Sequence, residues 1–144
     1  MESLIINKGY KEYSINNDER AVIRIKTTDF SVIDKLYHLR ENVTDTVKRL
    51  EQLKQSDSAG IDEILNAVKA ADTEVKQELD RIFDDSVSAK VFGGMNCLSF
   101  AGGQPVAANF LEAIIPRIKA DLETEQSAAN EKLAAYIEAA AQFS

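Results

Sequence analysis

From Ile61 onward apolar residues recur at intervals of three and four: Ile61, Ile64, Val68, Ala71, Val75 and Ile82, with Leu65, Leu79 and Phe83 widening the stripe. That spacing gathers on one face only at 3.6 residues per turn, so the stretch predicts an amphipathic helix. Glu78 stands inside the seam. A charge there breaks the strict heptad of a long isolated coiled coil, and the pattern points instead to a helix packed in a bundle.

Two more stripes flank it. Phe30, Ile33, Leu36, Tyr37, Val43, Val47, Leu50 and Leu53 predict a helix over about residues 29–54, capped by Thr28 or Asp29 and broken by SDSAG. Ser58 or Gly60 then begins the second helix, which Asp84, Asp85 and Ser86 end, and SVSAKVF predicts a short helical turn. Beyond Pro105, which suits the first turn of a helix, come Phe110, Leu111, Ile114, Ile115, Ile118 and Leu122. Ala129, Leu133, Tyr136, Ile137, Ala140 and Phe143 extend that face, and the Ala- and Glu-rich end has high helix propensity. Pro116 lies within the pattern and cannot donate to the carbonyl of Glu112, so a bend or a break is expected there.

Ahead of the helices, KEYSINNDERAVIRIKTTD reads as a β-hairpin. Tyr13 and Ile15 alternate with polar neighbours, Ala21, Ile23 and Ile25 form the answering face, and Asn16, Asn17 and Asp18 supply the turn. Val22 breaks the alternation, which suggests cover on both sides. An isolated hairpin is marginal, so this one needs a helix against it or a strand from another subunit.

The 144 residues fit one domain, mainly α. The expected organisation is a helical bundle-like domain with an N-terminal β-hairpin (10–26), a helical core (29–122) containing a glycine-rich connector (93–104), and a bent last helix whose end (123–144) extends as a tail. With 17 Lys and Arg against 24 Asp and Glu, the net charge is −7, which disfavours a nucleic-acid binder. Apolar runs fall well short of the roughly 18 residues needed to cross a bilayer. The opening MESLIINKGY lacks the pattern of a secretory signal, and the single cysteine suits a reducing compartment, so a cytoplasmic setting is expected.

Candidate chemistry is sparse. The stretch VFGGMNCLSFAGGQP holds four of the six glycines, yet it has neither G-x-x-x-x-G-K-[S/T] nor G-x-G-x-x-G order and no Lys or Arg between Met95 and Pro105. It reads first as a compact connector, with a partner-recognition loop as the alternative. Cys97 and the lone His38 would need a third orienting group to act as a nucleophilic pair. Asp80, Asp84 and Asp85 form an acidic cluster that reads as helix-end charge, with a hard cation as the lesser alternative. No catalytic, cofactor-binding or metal-binding set is assigned. The residues chosen as partner-binding are Met95, Leu98, Phe100, Phe110 and Ile114.

Two stretches carry a family resemblance. KEYSINNDERAVIRIKTTDFSVIDKLYHLRE is a hairpin followed by Thr-Asp and a long helix; SAKVFGGMNCLSFAGGQPVAANFLEAIIPRIK is a VFG segment followed by a helix with an internal proline. Together they resemble the tail assembly chaperone-like small proteins of long-tailed bacteriophages and of prophages of Gram-positive bacteria. The resemblance covers most of residues 11–119, with Val91, Phe92 and Gly93 on the VFG segment and Phe110, Leu111, Ile114, Ile115 and Pro116 on the helix. It implies a non-enzymatic homo-oligomer in the host cytoplasm that binds the tail tape measure protein and assists the major tail protein in forming the tube. A non-enzymatic oligomeric structural adaptor, or virion component, is the alternative.

Overall fold

A computed structural model describes residues 1–142. Strands β1 (Tyr10–Ile15) and β2 (Asp18–Lys26) pair antiparallel into a two-stranded sheet. Asn16 and Asn17 both adopt positive φ, 51° and 62°, as a two-residue turn that matches strand twist requires, and Asn tolerates this region better than most residues. The register slips between Ser14 and Ile15, leaving extra residues on β2 beside the turn. Ile23, Ile25 and Thr27 are then fully buried while Arg24 and Lys26 face water. The sheet rests on a helical layer of its own chain, with β2 packed against α2 (Ile61–Phe83) and α3 (Val87–Phe92).

Helix α1 (Phe30–Gln55) is capped by Asp29, whose Oδ1 accepts from the Ser31 amide at 2.9 Å and the Ser31 hydroxyl at 2.7 Å. Those two hydrogen bonds hold the Asp29 carboxyl below its ordinary range. The buried seam of α1 is Val32, Leu36, Leu39, Val43, Thr46 and Leu50, an alternating four-three spacing. This corrects the expected stripe. Ile33, Tyr37 and Val47 only flank the seam, and Phe30, at the first helical residue, is 71% exposed.

In α2 the buried face is Ala71, Val75, Leu79 and Phe83, a row spaced by four, the ridge that helix packing uses. The first part of the expected stripe is open: Ile61 and Leu65 are exposed and Ile64 and Val68 half-buried. Asp84, in the left-handed conformation at φ 51°, ends the helix. Asp80 then caps the next one from a distance, its Oδ1 accepting from the Ser88 amide at 2.7 Å and its Oδ2 from the Ser88 hydroxyl at 2.8 Å.

After α3 the chain forms a small ribbon, β3 (Phe100–Ala101) and β4 (Gln104–Pro105), closed by Gly102 and Gly103 at φ 65° and 86°. Both turn positions need glycine's freedom. Helix α4 (Val106–Ala141) follows, and Pro105 sits just before it as the N-cap rather than inside its first turn. Pro116 does not divide α4; its exposed ring lies on the side away from Ile114, Ile115 and Ile118, where the chain can forgo the lost backbone bond to water.

Helices α2 and α4 flank α1, and the sheet lies at one side of this bundle. One continuous core joins Ile23 and Ile25 of the sheet, Leu36 and Leu39 of α1, Leu79 of α2 and Leu111 and Ile118 of α4. Full burial of each such side chain contributes about 1.5–3 kcal/mol.

Candidate partner-binding surface

The glycine-rich stretch is held to the body by its own backbone. The amide of Gly93 donates to Ala89 O at 3.0 Å, that of Leu98 to Asn96 Oδ1 at 2.8 Å and that of Ala107 to Cys97 O at 2.8 Å. Asn109 reaches back to Ala101 O at 2.9 Å. Amides turned inward in this way are not offered to a phosphate.

Two residues of α2 brace the loop. Asp72 Oδ1 accepts from the Cys97 amide at 2.8 Å, and Lys76 bridges Asp72 Oδ2, at 3.0 Å, to Met95 O, at 2.8 Å. Burial alone would raise the Asp72 carboxyl; the hydrogen bonds from Cys97 and Lys76 outweigh it and hold the group below its ordinary range. The sequence carried one signal of this brace. Asp72 and Lys76 stand four apart on the rim of the α2 stripe, an ion pair placed to be half-buried.

Cys97 is fully buried, and its thiol is pushed up to about 12, first by burial and then by the Asp72 carboxylate. His38 lies on the exposed side of α1, 3.6 Å from Asp34. The two do not form a nucleophilic pair. The acidic cluster also separates into distinct structural roles. Asp80 caps α3, Asp84 ends α2, and Asp85 accepts from the Ser86 amide at 2.7 Å and pairs with Lys90 at 3.3 Å. Among the described residues no group of three or more His, Cys, Asp or Glu is placed to hold a metal ion.

The five residues chosen from sequence as a partner surface do not lie on one face. Leu98, Phe110 and Ile114 are buried in the core of the single chain. Phe110 meets Phe83 and Phe92 edge-on, with centroids 6.5 Å and 6.4 Å apart. Met95 and Phe100 stay on the surface, 51% and 60% exposed.

Another uncovered apolar feature lies elsewhere. Phe30 and Ile33 of α1 share a cleft with Lys119, Leu122 and Gln126 of α4, so α4 passes the start of α1 near Leu122. Beyond that point every residue from 123 to 142 is exposed. This part of α4 still carries Leu133, Tyr136 and Ile137, which are 57%, 74% and 59% exposed, with Ala129 and Ala140 on the same face. Phe143, expected to continue that face, lies outside the described residues. The tail remains helical because it grows from an anchored helix, which removes the cost of nucleation, and because its alanines favour the helix. Gln126 adds a hydrogen bond to Asn130 at 3.1 Å.

Among the described residues no helix is long and apolar enough to cross a membrane. Comparison with protein-family models, with curated proteins and with solved structures finds no match to this chain.

Proposed function

We propose that this protein is a non-enzymatic protein-binding factor of bacteriophage tail assembly, a chaperone that holds helical segments of the tape measure protein and assists the major tail protein in building the tube. One observation carries the reading. Leu133, Tyr136 and Ile137 lie open on a helix that has left its own bundle behind. An apolar helix face of this kind recognises another amphipathic helix, and a tape measure protein is a long helical chain that must be kept soluble before the tube encloses it. The hairpin, the Asp29-capped helix and the Val91–Gly93 segment, which resemble the chaperone-like family, supply the biological setting. The host cytoplasm is then the place of action, and the net charge of −7 limits unproductive aggregation.

The test is light scattering after size-exclusion chromatography, with the protein alone and with tape-measure fragments. The reading expects a defined mixed species that is lost when Leu133, Tyr136 and Ile137 are replaced by Ala. A complex indifferent to those changes would move the client surface to Met95 and Phe100. Failure of every fragment to bind would end the chaperone reading, and stable retention in finished tails would make the protein a structural adaptor.

A further inference from the structure

We propose that the segment ahead of β1 is a strap that closes over the open end of α4, laying Leu4 and Ile6 against Leu133, Tyr136 and Ile137. The first argument is where this arm is rooted. Gly9 O accepts from the Thr27 amide at 3.1 Å and from the Thr27 hydroxyl at 3.4 Å, so the arm leaves the body beside the end of β2. Gly9 adopts φ 79°, and a Cβ there would run into the Thr28 hydroxyl, so glycine fixes the course of the root. Gly9 borders two clefts beside α4, and Glu125 lines both. Gln126 and Ala129 line the first of them together with Lys8.

The second argument is the helix face. At about 100° per residue, Glu125, Gln126, Ala129, Leu133, Tyr136 and Ile137 fall within roughly a third of the circumference of α4. The arm therefore emerges over the same face that carries the open apolar residues, which follow about two to three turns further on. Glu131 and Glu138 fall on the opposite side of the helix. Lys8 shares its cleft with Glu125, so charges of opposite sign stand at the root.

The third argument is reach. Leu4, Ile5 and Ile6 are 88%, 96% and 66% exposed, and their β-branched isoleucines favour an extended course. The five extended steps from Gly9 to Leu4 span roughly 16 Å, and so do the eleven helical steps from Glu125 to Tyr136. By the same measure Ile6 stands between Ala129 and Leu133. Alternate side chains of an extended segment share a side, so Leu4 and Ile6 face the helix together and Ile5 faces outward. Burial of these few side chains is offset by the cost of ordering the arm, so the strap opens and closes, and the structure shows it open.

A client helix would displace the strap, and that role rests on the chaperone reading. The closure itself does not, so it is tested on the free full chain. In nuclear Overhauser spectra the methyls of Leu4 and Ile6 should give cross-peaks to the ring of Tyr136. A mixture of labelled and unlabelled chains should place those contacts within one chain. Under oxidised glutathione, the variant L4C/Y136C should close an intrachain disulfide at least about tenfold faster than L4C/E138C, whose second cysteine lies at nearly the same height on the opposite side. The native Cys97 is buried in both. Absent cross-peaks, contacts that run between chains, or equal rates for the two cysteine pairs would each overturn the strap.

Discussion

The phenol of Tyr13 donates to Asp121 Oδ2 at 2.8 Å and so joins the first strand to the last helix across nearly the whole chain. Lys11 approaches the other carboxylate oxygen at 2.5 Å. Burial alone would raise the Asp121 carboxyl; hydrogen bonds from Lys11 and Tyr13, with the charges of Lys11 and Arg117, hold it below its ordinary range. Burial and Asp121 together push the Tyr13 phenol up to about 12. Tyr13→Phe should cost about 1.5–3 kcal/mol, the contribution of a hydrogen bond to a charged group, read from urea denaturation at neutral pH.

The same pair sets two pH windows of opposite sign. Asp121 has a depressed folded pKa, so its contribution is present above the unfolded value of about 4 and is lost as pH falls through the folded value. Tyr13 has a raised folded pKa, so its contribution is present below the unfolded value of 10.0 and is lost as pH rises toward about 12. Stability of the wild type should therefore fall more steeply than that of Tyr13→Phe between those two values. Superimposable alkaline profiles would contradict the assignment.

Much of this fold was legible in local pattern. The alternation of Ile23 and Ile25 and the Asn16–Asn17 turn follow from neighbours within one element and are where the sequence put them, while in α2 the buried row runs through Ala71, Val75, Leu79 and Phe83, the last two of which the spacing had placed beside the seam and not in it. The first helix was read one flank away from its seam. Phe30 counted as core because it is large and apolar, whereas the buried positions include Thr46, a residue of modest apolarity that only packing can choose. The five residues chosen as a partner surface divide between core and surface for a similar reason. Leu98, Phe110 and Ile114 have the same chemistry whether they meet another chain or their own, and in the structure all three are buried within their own chain. Contacts such as Asp121 with Tyr13 join residues too distant in sequence for any local spacing to show.

The Asp80 carboxylate that caps α3 gives a sharper test of the acidic cluster. Asp80→Ala removes both hydrogen bonds to Ser88 and should destabilise by about 1–2 kcal/mol, the upper part of the range for a lost cap. Asp80→Asn keeps one acceptor oxygen and should cost less. Asp84→Gly should be neutral or mildly stabilising, since the backbone there is already left-handed at φ 51°. Equal losses for all three changes in thermal denaturation would contradict these separate roles.

The hairpin turn should discriminate between glycine and alanine at Asn17. With φ at 62°, Asn17→Ala keeps a Cβ in the left-handed region but removes the short polar side chain that lets Asn tolerate it, and should cost about 1 kcal/mol. Asn17→Gly creates the Asn-Gly pair that such turns prefer and should leave stability unchanged or slightly higher.

Cys97 provides a reporter for the brace beneath the glycine-rich loop. The thiol is buried, its Sγ lies 3.8 Å from Asp72 O, and its pKa is pushed up to about 12 by burial and then by the Asp72 carboxylate. At pH 8 the folded protein should react with a thiol reagent at least about 100-fold more slowly than the urea-unfolded chain, because reaction must await local opening. Asp72→Ala leaves the Cys97 amide without its acceptor and frees Lys76 from the loop, so labelling should accelerate by at least about tenfold, the effect of a local opening made easier by about 1.4 kcal/mol. Lys76→Ala should produce a smaller acceleration, because the amide bond from Cys97 to Asp72 remains. Fast labelling of the folded wild type would mean that Val91–Pro105 is not held to α2, and would return Met95 and Phe100 to the status of a mobile recognition loop.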